Sequence, residues 1–567
     1  MGYLLEVIDR AAVDSKTVTF LAGESTERVT WAQLCEEGRA VAAALQTRGL
    51  QPGGSVAIMS LALRQSVTAA IGSWLSGASV TFVPTPARTM NLETYLAITR
   101  TRLERLGISL LLIGSPWEEA ISSFRQGRVT VERLEQVIHE AYVLSPQQVD
   151  NYEVPVVRLE DTAVLQLTSG TTSRPRAVRV SHANLAANIA AIMSATGGET
   201  GPRRMLSWLP LFHDMGLVGG LMLPMARSNC DLVLFSPQDY LARPMTWLQH
   251  VSFYKATSTA APASAYALAA RLLPRTPRLD LSTVRLALCG GDMIAPEVMD
   301  SFIAAAKPHG FDPCALTPAY GLAEATLAVT MSPFGRGPRS DDVDAEILEQ
   351  RGRAVPIKDM AVTQESRATS YLDMRCPRVH RLSMLGRPVD GTDVRIVDES
   401  TGSVIADRTV GHVEVRGLSV AEPFRADVVD QAAGRTTAGW FRTGDIGYLV
   451  EGELVLTGRA KDIIILGGRN IYPDDVEQAA EDVADVRSGN SVAFAIRSSD
   501  RHAEEGLAVA VESRSTDHDR LRAEITASVQ ARLGVSPRAV FVLEPGSIPK
   551  TSSGKVQRQL TARRLTS

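Results

Sequence analysis

Between residues 55 and 289 the chain alternates short aliphatic or β-branched runs with helix-length stretches, and this alternation limits the folds open to it more than any other feature. The runs Ser55–Ser60, Ser79–Val83, Ser109–Ile113, Ala163–Leu167, Asp231–Phe235 and Val284–Cys289 have the length and composition of buried strands. Strands separated by helices pair in parallel through crossovers, so an α/β fold is expected, with a largely parallel sheet covered by helices. One helix is well marked: Thr30 and Gln33 form a capping box, Leu34, Val41 and Leu45 fall on one face, and Gly49 supplies the stop.

After Gly386 the texture changes. Runs at Val394–Val397, His412–Val415, Tyr448–Val450 and Leu454–Leu456 are closely spaced, with Glu451-Gly452 as a hairpin turn between the last two, and predict an all-β subdomain. A last compact unit begins near Asp462, with strands at Ile463–Leu466, Val492–Ile496, Leu507–Val511 and Val540–Leu543 and helices near Asp474–Asp482 and Thr516–Leu533. The expected organisation is a large N-terminal domain of parallel sheets with a β-subdomain, residues 1–458, and a small α+β C-terminal domain, residues 462–567. Between Ser332 and Leu382 the chain carries Pro333, Pro338, Pro356 and Pro377 and little periodicity. Such an irregular connection of roughly fifty residues is unusual inside a compact domain and is either functional or partly disordered.

Composition narrows the partners. A formal net charge of −4 over 567 residues provides no general attraction to nucleic acid or anionic lipid, so any polyanion is handled locally, as a small phosphate ligand would be. The five cysteines, Cys35, Cys230, Cys289, Cys314 and Cys376, are odd in number and lack C-x-x-C spacing, which argues against a disulfide framework or zinc site and fits a reducing cytoplasm. The N-terminus has no basic region followed by a long apolar core, and apolar segments such as Ala69 to Val83 are too short or interrupted to span a bilayer. A soluble, cytoplasmic protein is expected.

Leu167-Thr168-Ser169-Gly170-Thr171-Thr172-Ser173-Arg174-Pro175-Arg176 places hydroxyls, a glycine and arginines in a turn after an apolar run. Converging backbone N–H groups and hydroxyls suit such a turn to phosphate, and Gly170 lets the main chain approach closely. It is not a Walker A loop, since no G-x-x-x-x-G-K-[ST] is present. Taken alone, it reads equally well as a solvent-exposed loop.

Five further stretches change that balance: Ser207-Trp-Leu-Pro-Leu-Phe-His213-Asp-Met-Gly216; Cys289-Gly290-Gly291-Asp292; Ala319-Tyr320-Gly321-Leu322-Ala323-Glu324; Arg442-Thr443-Gly444-Asp445 with Gly458-Arg459-Ala460-Lys461; and Pro549-Lys-Thr-Ser-Ser-Gly554-Lys555. In this order they resemble the adenylate-forming superfamily of acyl-CoA synthetases, nonribosomal peptide adenylation domains and luciferases, over nearly the whole chain. His213-Asp-Met-Gly, Tyr320-Gly-Leu-Ala-Glu324-Ala-Thr and Gly468-Arg-Asn-Ile-Tyr-Pro473-Asp-Asp look most like fatty acyl-AMP ligases.

The resemblance implies that a carboxylate attacks the α-phosphate of ATP, releasing pyrophosphate, and that a thiol then takes the acyl group. Such chemistry needs positioning, a metal and cations more than a protein nucleophile. By resemblance, Thr168, Ser169, Gly170, Thr171, Thr172 and Arg176 hold phosphates, Glu324 holds Mg²⁺, and Tyr320 and Gly321 with Gly290, Gly291 and Asp292 form the adenine side. Asp445 and Arg459 contact the ribose, Lys555 reaches the α-phosphate and carboxylate, and His213 gates the acyl pocket. Residues 459–461, with Lys461, form the hinge of a mobile C-terminal domain. In isolation Lys555 would be an ordinary surface lysine and His213 a core histidine.

The family's phosphate loop usually continues Gly-x-Pro-Lys-Gly, whereas this chain has Ser173-Arg174-Pro175-Arg176-Ala177; arginine keeps the charge but presents a planar fork. Acyl-AMP ligases often lose that lysine too, and they resemble this chain in carrying an insertion between Glu324 and Gly386-Arg387-Pro388, thought to hinder rotation and CoA use. The favoured acceptor is the phosphopantetheine thiol of a carrier protein, with CoA as alternative because Gly467-Gly468-Arg-Asn-Ile-Tyr-Pro also looks like the loop lining the pantetheine path in CoA ligases. Adenylation domains place an aspartate directly after the phenylalanine to hold an amino group; here that position is His213, so a hydrophobic acid is expected over an amino acid. Small residues over Thr259–Ala265 would leave it room. A non-catalytic relative would have lost Glu324, Asp445, Arg459 and Lys555, and a P-loop ATPase or kinase would need motifs that are absent.

Overall fold

The computed structural model describes residues 2–86, 91–144, 149, 152–167, 177–201, 203–357, 378–423, 439–466, 469–496, 506–551 and 554–566. Two large, mostly parallel sheets dominate. In the nine-stranded sheet the strands Leu316–Gly321, Leu286–Cys289, Ser258–Ala261, Arg204–Ser207, Asp231–Phe235 and Thr17–Ala22 run parallel, in that spatial order, with antiparallel strands at both edges. The seven-stranded sheet sets Thr162–Leu167, Ser79–Phe82, Ser55–Met59, Leu110–Ile113 and Thr130–Arg133 in parallel, with Ala177–Ser181 antiparallel beside the first.

Helices Trp31–Thr47 and Leu63–Leu75 pack together between these sheets. Thr30 caps the first with the full capping box expected from Gln33. Trp31 donates to Cys230 O at 2.9 Å, beside the nine-stranded sheet, and Trp74 donates to Ala163 O at 3.1 Å in the seven-stranded one. Every residue from Ser66 to Leu75 is buried. A helix buried on all sides needs apolar or small residues all round, which is why Ala69 to Val83 reads as one long apolar run.

The β-subdomain is a four-stranded antiparallel sheet of Thr392–Val397, Gly411–Gly417, Phe441–Val450 and Glu453–Arg459. Its last hairpin turns at Glu451 and Gly452, both at positive φ (54° and 75°), the geometry a two-residue hairpin turn requires. From Ile464 on, a two-stranded and a three-stranded sheet with helices Pro473–Glu481 and His518–Leu533 form the small α+β unit.

The segment after Ser332 departs from the irregular connection expected there. Ser340–Asp344 pairs antiparallel with Val379–Ser383, helix Ala345–Arg351 follows the first strand, and Val343, Leu348 and Leu382 share a core with Tyr448, Val455 and Tyr472. Residues 358–377 lie outside the described residues. The four described cysteines are free, and among the described residues no helix is long and apolar enough to cross a membrane.

Candidate active site

One cleft of about 2120 Å³ opens at the C-terminal ends of the parallel strands and is closed on one side by the small unit. That volume exceeds an ordinary small-molecule pocket and has room for a nucleotide beside an acid. All the described residues assigned by resemblance line it: His213, Gly290, Gly291, Asp292, Tyr320, Gly321, Glu324, Asp445, Arg459, Lys461 and Lys555. Thr168, Ser169, Gly170, Thr171, Thr172 and Arg176 lie outside the described residues, between Leu167 and Ala177, which also line the cleft.

Strand Leu316–Gly321 delivers Tyr320 to the rim. A Cβ on Gly321 would stand 1.9 Å from Leu327 O, so only glycine permits the chain to fold back here and present Glu324. The return is made at Thr326, whose φ of 70° and ψ of −55°, with Leu327 N–H donating to Ala325 O at 2.8 Å, form a strained γ-turn. The Thr326 hydroxyl donates to Ser419 O at 2.7 Å and pins that turn to the β-subdomain. A positive φ at a β-branched residue is rare, marks stored strain, and has no signature in sequence.

Tyr320 Oη donates to Asp445 Oδ2 at 2.5 Å, and Arg459 Nε stands 3.2 Å from Asp445 Oδ1. Each carboxylate oxygen thus has one protein donor and keeps a lone pair for a ligand hydroxyl. Burial, then the neighbouring Asp445 carboxylate, pushes the Tyr320 hydroxyl well above its ordinary value, so it remains a donor. Glu324 is raised chiefly by burial, with the Asp214 and Asp445 carboxylates adding to the effect and a backbone hydrogen bond and the Arg459 charge opposing it.

His213 Nδ1 lies 2.6 Å from Asp214 Oδ1, which also accepts from Met215 N–H at 2.7 Å. Burial alone would raise Asp214; His213, Lys555 and the Met215 N–H outweigh it and hold the group below the usual carboxylate range. Lys555, from the far end of the chain, therefore stands close enough to Asp214 to stabilise its charge. Asp214, which follows His213 in the chain, fixes the His213 ring and caps the π-helix Met215–Met222. Gln166 was not singled out in the sequence; its amide donates to Phe212 O at 2.7 Å, joining the strand that leads into residues 168–176 to the His213 segment.

From His213 an apolar channel runs along the face of the nine-stranded sheet. Met205, Ser258 and Leu286 are register neighbours, and Ala260 and Leu288 follow two residues on, so their side chains share one face. Ile192 and Leu223 stand opposite. From Gly290 to Leu286 the channel is about 13 Å long, at roughly 3.3 Å per residue. Its far end is polar: Arg227 donates to Thr196 Oγ1 at 2.7 Å.

The segment after Ser332 reaches the small unit through charge. Glu349, 2% exposed, is paired with Arg378 and lies 2.5 Å from Arg469; Arg378 also donates to Arg532 O at 3.1 Å, and His380 Nε2 stands 3.0 Å from Asp475. None of these pairings across the segment was legible in the sequence.

Two parallel-rich sheets, a β-subdomain and a small C-terminal unit around one shared cleft define an adenylate-forming fold. The chain belongs to the AMP-binding enzyme family: the family profile matches residues 8–424, and that of the AMP-binding enzyme C-terminal domain matches residues 468–563. It is similar to Rv1013 of Mycobacterium tuberculosis, provisionally named a ligase, with 36% identity over 94% of this chain and 93% of that one. It is also similar to the medium-chain-fatty-acid–[acyl-carrier-protein] ligase JamA of Moorena producens, 34% identical over 70% of this chain and 68% of JamA. Among solved structures, one from a study of fatty acyl-adenylate ligases of E. coli and L. pneumophila superposes with a TM-score of 0.86, at 30% identity, over 100% of this chain and 98% of its own.

Proposed function

We propose that this enzyme activates a hydrophobic carboxylic acid with ATP, forming acyl-AMP and pyrophosphate, and passes the acyl group to the phosphopantetheine thiol of a carrier protein. The observation that carries the reading is the meeting of Lys555 with Asp214, His213 and Glu324 in a cleft that also holds the Tyr320–Asp445–Arg459 group and opens into an apolar channel.

In this reading the acid lies in the channel with its carboxylate near His213, the adenine and ribose lie by Gly290–Asp292, Tyr320 and Asp445, and residues 168–176 take the phosphates. A carboxylate oxygen bonds to the α-phosphorus as the bond to the β-phosphate bridging oxygen breaks. Lys555 offsets the negative charge that brings the two anions together. In the second step the thiol sulfur bonds to the acyl carbon, its proton passes to solvent, and AMP leaves. Glu324 suits Mg²⁺, being a half-buried carboxylate at the cleft whose charge burial and the neighbouring Asp214 and Asp445 carboxylates disfavour. Among the described residues no group of three or more candidate ligands exists, so Glu324 would share the ion with substrate phosphates, as Mg²⁺ commonly requires. When bound, the ion neutralises charge on the phosphates.

The boundary at residue 458 and the hinge at 459–461 belong to the same proposal, with Lys461 as the turning residue. A carrier-protein acceptor is favoured by the ties from Glu349 and His380 to the small unit, which oppose its rotation, and by the likeness to JamA. Mass spectrometry of the enzyme with ATP, Mg²⁺ and a panel of fatty and aromatic acids, with and without CoA, tests it. An acyl-AMP that persists in the presence of CoA supports the carrier-protein acceptor; its conversion to acyl-CoA identifies a CoA ligase, and absence of any acyl-AMP refutes the reading.

A further inference from the structure

Several half-buried arginines in this protein have carboxylate partners: Arg64 pairs with Glu27 and Glu37, Arg336 with Glu453, and Arg558 with Glu477. Arg102 differs. It sits near the end of helix Leu92–Arg105, half-buried with its Nε enclosed, and its guanidinium makes no hydrogen bond or ion pair with any described residue. Burial pushes its guanidinium below the usual arginine range, with Tyr95 opposing. A charge left unpaired and partly desolvated is disfavoured, and replacing it by an apolar group would relieve part of that cost.

Its position says what could pair with it. Arg102 lines the cleft together with Tyr95 and Thr99 from the same helix face, and with Pro84, Leu167 and Ala177. Tyr95 Oη donates to Pro84 O at 2.6 Å, just beyond strand Ser79–Phe82, which lies beside Thr162–Leu167 in the sheet. Tyr95, Leu165, Leu167 and Ala177 share one core, so this helix face abuts the two strand ends that bound residues 168–176. The nucleoside-side residues Gly290–Asp292, Tyr320 and Asp445 come instead from the nine-stranded sheet and the β-subdomain. A nucleotide laid from there towards residues 168–176 directs its terminal phosphates at the seven-stranded sheet, where Arg102 waits.

We infer that Arg102 is a binding residue for the β- and γ-phosphates of ATP and for the pyrophosphate they become, at a subsite formed with the Tyr95–Thr99 face of its helix. The inference rests on the adenylation reading above. Guanidinium is the fitting group, because its planar fork binds a condensed phosphate through two parallel N–H donors. It also accounts for a charge that is unfavourable in the empty protein and neutralised when ligand arrives.

The test uses the full-length enzyme and the variants Arg102→Met and Arg102→Lys, with thermal melting in the presence of magnesium pyrophosphate or of AMP, and with acid-dependent ATP–pyrophosphate exchange. Arg102→Met is expected to melt, without ligand, at or above the wild-type temperature, to lose the rise caused by pyrophosphate, and to keep the rise caused by AMP. Its KM for pyrophosphate should increase about tenfold to hundredfold, the range for losing a charge-assisted hydrogen bond, with partial recovery in Arg102→Lys. A wild-type pyrophosphate response in Arg102→Met overturns the subsite. So does a lower ligand-free melting temperature restored by lysine, which would make Arg102 structural, and so does equal loss of the AMP response, which would move it to the α-phosphate. Absence of exchange and of any pyrophosphate response in the wild type itself would refute the adenylation reading and the subsite with it.

Discussion

At the scale of single residues, the site depends on groups that hold other groups in place. Tyr320 was legible through its motif, but its hydroxyl contact with Asp445 was not, because the two are brought together only by the docking of the β-subdomain. Tyr320→Phe keeps the ring and removes the donor; the KM for ATP is expected to rise about tenfold in exchange assays, at the low end for a hydrogen bond to a charged group. Thr326 shows the opposite limit. Its γ-turn is enforced by packing and by Ser419 O, and no local pattern predicts positive φ at threonine. Thr326→Val keeps the shape but leaves Ser419 O unsatisfied, so a loss of about 1–3 kcal/mol in urea unfolding is expected, together with reduced exchange activity because Glu324 lies two residues away.

At the scale of elements, strands with strong aliphatic character stood out in the sequence, and several start or end within two residues of their expected limits; Asp231–Phe235 is the same in both. The strand Ser340–Asp344, Ser-Asp-Asp-Val-Asp, did not, because it puts only one apolar residue into the core and spends its carboxylates on distant partners such as Arg408. Its partner strand Val379–Ser383 carries a pH-dependent tie through His380. Burial lowers His380, but Asp475 outweighs it and leaves the folded value raised. The contribution of this pair is therefore fully present below the unfolded histidine value of about 6.5 and is lost as pH rises through the higher folded value. The melting temperature of the wild type relative to His380→Gln should fall towards equality as pH is raised from 6 to 9; a constant difference would refute the tie. The π-helix lends itself to a second test at this scale. A Cβ on Gly219 would stand 3.2 Å from Leu327 Cδ2 at the channel, so Gly219→Leu should abolish exchange with long-chain acids while sparing the shortest ones, as a panel of acids of increasing length would show.

At the scale of the whole molecule, the question is how parts distant in sequence come to share one cleft. Lys555 lies 231 residues beyond Glu324 in the numbering of the chain, yet both influence the charge of the Asp214 neighbourhood. Lys555→Ala should lower exchange by about a hundredfold to a thousandfold, the range for removing a preorganised charge-stabilising group, with little change in melting temperature, since its half-buried side chain belongs to the cleft. The sequence by itself determined the α/β class, the order of the units and the chemical types at the cleft, because strand and helix periodicity and short motifs are local properties written in neighbouring residues. Only the tertiary structure decided that Asp214 orients His213, that Glu349 and His380 bind the segment after Ser332 to the small unit, and that Arg102 faces the cleft unpaired. Charge partners are chosen by proximity in three dimensions, and burial, which gives those charges their consequence, exists only once the chain has folded.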